Sequence, residues 1–255
     1  MSASIGLHDL AKSFGTLPVV SPLTLDIAPG SFVSIVGPSG CGKSTLLRLI
    51  AGLESPSAGR ATIDGAPPSD ARDRKRIAVV PQQPGLLPWR TVTGNARLLL
   101  DVNRRATTGS PPDPLELLTE VGLSDFLGAY PHELSGGMQQ RVALVRAFAL
   151  GAPLVLMDEP FAALDEITRA EMRDLLARML ERRSATVVFV THSISEAVYL
   201  SDRVLVCSPR PATIVADVSI PLGQRRTPDI EDGAEFAELC ATLRRALRSA
   251  MDVPS

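Results

Sequence analysis

The chain has 255 residues, 45% of them hydrophobic, which is enough for one large domain or two small ones with a buried core. Its formal net charge of -2 at pH 7 argues against a nucleic-acid-binding protein, because that class usually carries a strong basic excess. The three cysteines, Cys41, Cys207 and Cys240, are too few and too far apart to predict a disulfide framework or a zinc site.

The N-terminal stretch MSASIGLHDLAKSFG has no charged segment followed by an apolar one, so we expect no secretion signal. The longest apolar runs are far shorter than the ~20 residues that cross a bilayer. We therefore expect a chain that is soluble in a reducing compartment, or that reaches a membrane only through a partner.

Five short apolar runs predict buried strands: SFVSIVG at 31–37, RIAVVPQ at 76–82, PLVLMDEP at 153–160, TVVFVTH at 186–192 and DRVLVCS at 202–208. Runs that are apolar throughout, rather than alternating with polar residues, are typical of parallel strands covered on both faces. A further strand is predicted at 212–220, and helical patterns separate several runs, for example at 166–183. The sequence therefore predicts an α/β fold with a mainly parallel sheet.

The segment 91–150 differs, because it contains helical patterns and a proline-rich break at 107–114 but no convincing buried strand. We interpret it as a helical subdomain inserted into an α/β core that consists of residues 1–90 and 151–222. The remaining residues, 223–255, are predicted to form a C-terminal tail with a loop and then an amphipathic helix.

The stretch GPSGCGKST follows a predicted strand and begins a predicted helix, which is the context that the pattern G-x-x-x-x-G-K-[ST] requires. Backbone N–H groups and the positive end of a helix dipole bind polyphosphate, and Gly40 and Gly42 let the backbone approach it closely. We predict a nucleoside triphosphate site in which Lys43 reaches the β and γ phosphates and the Ser44 hydroxyl binds Mg²⁺. The alternative is a glycine-rich turn without a ligand. The residues predicted to contact the nucleotide are Gly37, Pro38, Ser39, Gly40, Cys41, Gly42, Lys43, Ser44 and Thr45.

The stretch LSGGMQQR at 134–141 predicts a second helix start that can bind an anion. Ser135 can cap the helix, and Gly136 and Gly137 again allow close approach of the backbone. An N-capped helix without a ligand is the alternative. A chain that already has one phosphate loop has no evident need of a second within its own site.

Two carboxylates follow the apolar run LVLMDEP. Asp158 at the strand end can hold the Mg²⁺ shell, and Glu159 is placed to orient or deprotonate an attacking water. A solvated turn at the strand end is the alternative for this pair in isolation. Beside a phosphate loop we interpret it as the acidic partner of a phosphoryl-transfer site.

Together these motifs resemble those of the ATP-binding cassette (ABC) ATPases, in which the LSGGMQQR-type motif serves the ATP held by the opposite subunit. The resemblance covers nearly the whole chain. It implies a P-loop NTPase (RecA-like) core with an inserted helical subdomain. It also implies that the chain binds and hydrolyses ATP with Mg²⁺ as the cofactor, and that it forms a homodimer that binds two ATP molecules.

The resemblance also implies roles for single residues. Phe14 in KSFG would stack on adenine, although it could instead only pack at a strand end. Gln82 would contact Mg²⁺ and sense the transporter, and Asp165 would face the partner subunit. His192 would contact the γ-phosphate. The implied catalytic residues are Glu159, His192 and Lys43, and the implied metal ligands are Ser44, Gln82 and Asp158.

Three positions raise separate questions. Ser193 follows the histidine where the family often has aspartate, and Pro81 precedes Gln82 where an apolar or aromatic residue is expected. Because proline has no N–H to donate, the geometry that couples Gln82 to the transporter is in question. Cys41 in the phosphate loop could act as a redox brake, or be a small residue that the loop tolerates.

The segments LLPWRTV at 86–92, YPHELSGGMQQR at 130–141 and MDEPFAALD at 157–165 are similar to those of the nitrate, sulfonate and taurine importer branch. This implies a peripheral ATPase at the cytoplasmic face of the membrane that acts on separate transmembrane permease subunits. An extracytoplasmic solute-binding protein is the implied indirect partner, and we expect no nucleic acid.

Two other functions remain open from sequence. A soluble ABC ATPase acting on nucleic acid or the ribosome would usually carry paired cassettes, coiled-coil insertions or basic arms. A P-loop kinase acting on a metabolite would have no use for LSGGMQQR. The sequence does not indicate the transported solute.

Overall fold

The computed structural model describes residues 2–103, 111–181, 183–223 and 227–251. The proline-rich break at 107–114 and the loop at 223–229 therefore lie partly outside the described residues. Within the described ranges, no helix combines the length and the apolar character of a membrane-crossing segment.

Strands and helices alternate along most of the chain. The strands are β1 (Ile5–Phe14), β2 (Leu17–Ile27), β3 (Phe32–Val36), β4 (Ala58–Ile63), β5 (Ile77–Val80), β6 (Leu154–Asp158), β7 (Thr186–Thr191), β8 (Arg203–Cys207) and β9 (Ile214–Ser219). The helices are α1 (Lys43–Ile50), α2 (Pro68–Asp73), α3 (Val92–Ala96), α4 (Leu98–Val102), α5 (Pro114–Glu120), α6 (Gly136–Phe148), α7 (Glu166–Glu181), α8 (Ile194–Leu200) and α9 (Ala234–Met251). Short 3-10 helices lie at Ser124–Phe126, Pro131–Glu133 and Pro228–Asp232.

The larger sheet has six strands in the order β5-β6-β7-β3-β8-β9, all parallel except β9, which pairs antiparallel with β8. The strands predicted from apolar runs, and the mainly parallel sheet, are confirmed. In β3, Phe32 and Val36 belong to one core cluster whereas Val33 and Ile35 belong to the other. Both faces are thus covered, which explains why the apolar runs are uninterrupted.

The smaller sheet is antiparallel, has the strand order β2-β1-β4 and corresponds to no pattern identified in the sequence. Its strands mix buried and exposed residues and contain register shifts, so they form no continuous apolar run. The sheet approaches the β8–β9 connection, where Ala212 N donates to Val19 O at 2.8 Å and Ser21 N donates to Ala212 O at 3.0 Å.

Between β5 and β6, the elements that the structure describes are all helical. Helix α6 packs against α3, α5 and β5, so this helical segment contacts the sheet through α6. The exact bounds assigned above to the core, the helical subdomain and the tail stay a prediction.

Helix α9 packs on α8, β8 and β9 through a stripe that includes Phe236, Cys240 and Leu243. This helix lies within the segment for which the sequence predicts an amphipathic helix. In the preceding 3-10 helix, Glu231 accepts two hydrogen bonds from Arg173 of α7, at 2.6 and 2.8 Å. These contacts attach the C-terminal segment to the core.

We predict that Leu243→Ala lowers the free energy of unfolding by about 2 to 5 kcal/mol, because it leaves a cavity at a fully buried site. The measurement is urea unfolding followed by circular dichroism. Arg248→Ala, at an exposed position of the same helix, serves as the control and should change stability by about 0.5 kcal/mol or less. Equal midpoints for the two variants would show that α9 is not part of the cooperative core.

Candidate functional site

The loop between β3 and α1 is shaped by its glycines. Gly42 has φ of 121°, and a Cβ there would lie 2.8 Å from Val19 O, so a side chain at this position cannot fit beside β2. Gly40 has φ of 73° and faces open space, next to the exposed Ser39 and the half-buried Pro38. The N-cap of α1 is Gly42 itself, which has no side chain to accept from the first turn. The loop therefore fits an anion held by backbone N–H groups.

Lys43 lies at the start of α1 with its ammonium group buried. Its Nζ donates to Gly37 O and to Pro38 O, both at 2.9 Å, and lies 3.7 Å from Glu159 Oε1. A buried charge is tolerated when hydrogen bonds and an opposite charge surround it. The lysine thus joins the loop to the end of β6.

Ser44 and Asp158 come from different elements and contact each other directly. The Ser44 hydroxyl donates to Asp158 Oδ1 at 2.7 Å, and both residues are half-buried. A hydroxyl and a carboxylate oxygen are ligands that Mg²⁺ accepts, so this pair fits the metal. Gln82 is exposed two residues after β5, the strand beside β6. The adjacent Pro81 follows the last residue of β5, at a strand edge where a missing N–H is tolerated.

Glu159 and His192 face each other across the ends of β6 and β7, with 3.1 Å between Glu159 Oε2 and His192 Nδ1. Glu159 has φ of 45°, an uncommon conformation for a non-glycine residue, and its N–H donates to Val190 O at 2.9 Å. Strained backbone of this kind clusters at functional sites. Lys43, Glu159 and His192 therefore form one continuous cluster, which we call the carboxylate cluster.

Cys41 is buried beneath the loop against Cys207, the last residue of β8. A hydrogen bond with the Cys207 thiol and the charge of Lys43 lower the pKa of Cys41, against the effect of burial. The same hydrogen bond and burial raise the pKa of Cys207. Because this side chain points into the protein, we expect Cys41 to meet a phosphate only through its backbone. Thr45, in the first turn of α1, is half-buried.

The second predicted helix start lies on a different surface. Ser135 is the N-cap of α6, and its Oγ accepts from Met138 N at 3.3 Å. Gly136 faces open space, whereas a Cβ at Gly137 would lie 2.7 Å from Thr168 Cγ2. The start of α6 thus lies against Thr168 of α7.

Asp165 caps the start of α7 beside this surface. Its Oδ1 accepts from Thr168 N at 3.0 Å, its Oδ2 accepts from the Thr168 hydroxyl at 2.7 Å, and these bonds lower the pKa of Asp165. Thr168 therefore contacts Asp165 through hydrogen bonds and Gly137 through packing. We call Ser135, Gly136, Gly137 and Asp165 the cap surface.

Phe14 ends β1 and is half-exposed, with Lys12 Nζ 4.7 Å from the ring centroid. Its partner across the turn is Leu17 at the start of β2. Because β2 also supplies Val19 beside Gly42, the ring lies on the strand pair that approaches the loop. Stacking of Phe14 on a base stays a prediction.

Two buried polar residues of the helical segment hold the loop after Gln82, and sequence reasoning missed both. Arg146 of α6 donates to Gly85 O at 2.8 Å and to Pro84 O at 2.5 Å, and its burial lowers the pKa of its guanidinium. Asn95 of α3 accepts from Leu87 N at 2.7 Å and donates to Leu87 O at 3.1 Å. A lone arginine within the apolar run VALVRAFAL was the signal that could have identified Arg146; Asn95 had none.

A family model described as ABC transporter matches residues 20–162. The taurine import ATP-binding protein TauB of Rhizobium johnstonii is 44% identical over 249 residues, which cover 94% of this chain and 93% of that protein. The aliphatic sulfonates import ATP-binding protein SsuB 1 of Xanthomonas axonopodis pv. citri is 42% identical over 234 residues, covering 91% and 92% of the two chains.

A solved structure supports the same family assignment at the level of the fold. The ATP-binding cassette MJ0796, a dimer bound to ADP and Pi in a post-hydrolysis state, superposes with a TM-score of 0.72 at 32% identity. The match covers 85% of this chain and 98% of that cassette. The predicted P-loop NTPase fold is confirmed, and the chain belongs to the ABC transporter family as an ATPase that uses ATP and Mg²⁺.

Proposed function

We propose that this ATPase is the energy-supplying subunit of an importer for a small sulfonated or similar anionic organic solute. The observation that carries the proposal is that the chain has two helix starts suited to an anion, with different neighbours. At the start of α1, Lys43 lies 3.7 Å from Glu159, whereas the start of α6 lies against Thr168 of α7. Relatives named as taurine and aliphatic sulfonate import proteins support the solute class.

Within one chain, different residues bind the nucleotide, bind the metal and activate the attacking water. The first-turn N–H groups of α1 and the Lys43 ammonium hold the β and γ phosphates of ATP, and Phe14 stacks on its base. Ser44, Asp158 and Gln82 hold Mg²⁺, which when bound neutralises developing charge on the phosphates. Glu159 orients the attacking water and accepts its proton, while His192 holds that carboxylate and contacts the γ-phosphate.

The cap surface completes the site of a second copy. Ser135 and Gly136 are exposed at a helix start whose N–H groups face outward, and Asp165 lies beside them. A contact between the phosphate loop of one copy and this surface of the other is self-complementary, so two copies close with two-fold symmetry around two ATP molecules. Loss of the bridging γ-phosphate then lets the copies separate.

The motion has to act on membrane subunits. The loop 83–90 follows Gln82, is held by Arg146 and Asn95, and exposes 71% of Trp89. An exposed aromatic on a loop that buried side chains hold is suited to a protein interface, so we assign this loop to permease contact at the cytoplasmic face of the membrane. The solute-binding protein acts only through the permease.

We expect Glu159→Gln to form a stable dimer in saturating ATP while losing nearly all hydrolysis, because the proton acceptor is removed and the phosphate contacts remain. Light scattering measures the mass, and phosphate release measures turnover. Glu235→Gln, an exposed carboxylate in the first turn of α9, is the matched control and should leave both unchanged. A Glu159→Gln chain that stays monomeric would count against the shared site.

Gly136→Ala and Gly137→Ala distinguish a role in the dimer interface from a role in the stability of the isolated chain. A Cβ at Gly136 meets open space, so the isolated chain should keep its stability, whereas ATP-driven dimerisation should weaken roughly tenfold or more as the methyl obstructs the partner's phosphates. Gly137→Ala should also destabilise the isolated chain, because its methyl displaces Thr168.

The control for both variants is Gly128→Ala, the same change at an exposed position with open space around it. Thermal unfolding gives stability and sedimentation gives the dimer fraction. If Gly136→Ala dimerises like Gly128→Ala, the start of α6 does not face the second copy's nucleotide.

The import function has its own test. Purification of the tagged chain with native membranes should recover a multi-span permease, and taurine or alkanesulfonate uptake should depend on the chain. Recovery of ribosomes or nucleic acid instead would favour the soluble ABC ATPase and overturn the importer.

A further inference from the structure

Glu196 is a buried carboxylate that the roles assigned above do not include. It is the third residue of α8, whose N-cap is Ser193, and only 5% of it is exposed. The sequence Ser-x-x-Glu at a helix start is typical of a capping box, in which the glutamate side chain returns to the N-cap N–H. The Ser193 half of that arrangement is present, since its Oγ accepts from Glu196 N at 3.3 Å.

The second hydrogen bond of a capping box, from the N-cap N–H to the glutamate side chain, is replaced here by a hydrogen bond to Thr191. Ser193 N donates to the hydroxyl of Thr191 at 3.0 Å, and that hydroxyl donates in turn to Glu196 Oε2 at 2.5 Å. Thr191 and Ser193 are the two neighbours of His192 in the chain. The carboxylate of Glu196 therefore holds the backbone on both sides of the histidine through one threonine.

The second oxygen of the carboxylate faces α7. Glu196 Oε1 lies 3.7 Å from Arg169 Nε, and Arg169 Nη2 donates to Leu164 O at 2.9 Å. Leu164 directly precedes Asp165, and Asp165 O accepts from Arg169 N at 2.9 Å within the helix. One guanidinium thus forms an ion pair with the buried carboxylate, without a hydrogen bond from its Nε, and donates a hydrogen bond to the backbone before Asp165.

We propose that Glu196 is a positioning residue, which through Thr191 and Arg169 holds His192 of the carboxylate cluster in register with Asp165 of the cap surface. The inference rests on the function proposed above. A movement of Asp165 when a second copy docks would pass through Arg169 and Glu196 to the histidine. The geometry gives the chain a physical route by which closure of the dimer sets the hydrolytic residues.

The partners of Glu196 offset only part of the cost of burying its charge, because its pKa is raised overall. Burial raises the pKa of Glu196, and the Thr191 hydroxyl, Arg169, His192 and Arg173 oppose that effect. A buried carboxylate is costly without such partners. A residue that only capped the helix could equally well be glutamine, which capping boxes accept. This difference makes Glu196→Gln the discriminating variant.

The test is steady-state ATP hydrolysis by the full chain at several ATP concentrations. Glu196→Gln should lower kcat by roughly five- to thirty-fold, the range of a coupling between sites, while KM for ATP changes less than about twofold. Arg169→Gln breaks the same ion pair from its more exposed side and should give the same split. The double variant should be no slower than the slower single variant, since both act on one link.

The matched control is Glu120→Gln, which removes a half-buried carboxylate paired with Arg183 at 2.7 Å outside the site and should leave kcat unchanged. Thermal unfolding of each variant reports folding. If Glu196→Gln and Arg169→Gln hydrolyse ATP like Glu120→Gln, or if their effects multiply in the double variant, the proposal is wrong. Should Glu196→Gln fail to fold, Arg169→Gln alone decides by the same criterion.

Dimerisation separates this inference from the function on which it rests. In the Glu159→Gln background, addition of Glu196→Gln should weaken ATP-driven dimerisation less than tenfold, because the nucleotide contacts are intact. If Glu159→Gln itself does not dimerise, the shared-site function fails. If it dimerises and Glu196→Gln keeps full kcat in the otherwise unchanged chain, only the positioning role fails.

Discussion

The close approach of β2 to the phosphate loop is the constraint on which the site depends. Val19 O stands where a side chain at position 42 would have to lie, so glycine there lets the two sheets close around the start of α1. That closure leaves the first-turn N–H groups at the carboxyl edge of the parallel sheet, where ligands bind in open α/β folds. Lys43 is buried at the same point, and carbonyls and Glu159 offset the cost of its burial.

Different structural elements hold the carboxylate cluster and the cap surface. Adjacent parallel strands hold the carboxylate cluster, since β6, β7 and β3 are neighbours in the sheet. Helix caps hold the cap surface, where Ser135 and Asp165 each satisfy N–H groups of their own helix. Side chains from α7 and α8 lie between them, where Arg169 approaches Glu196 to 3.7 Å.

The strands of the larger sheet and the phosphate loop were predictable because their signals are local. The smaller sheet was not, since strands exposed on one side and interrupted by bulges lack the continuous apolar run that identifies a doubly covered strand. Arg146 and Asn95 were missed for a similar reason. Their importance comes from carbonyl groups of the loop 83–90 that only folding brings to them, and the one local sign was the position of Arg146 within an apolar run.

Sequence alone predicts the strands of the larger sheet, the glycines that the phosphate loop needs and the short stretches that can bind phosphate, because period, capping and motif spacing are properties of neighbouring residues. Which of these stretches contact one another depends on the tertiary fold. Ser44 contacts Asp158 across 114 positions, and Glu159 faces His192 across 33. The order of strands in the sheet sets those contacts, and it depends on how the whole core packs rather than on any single segment.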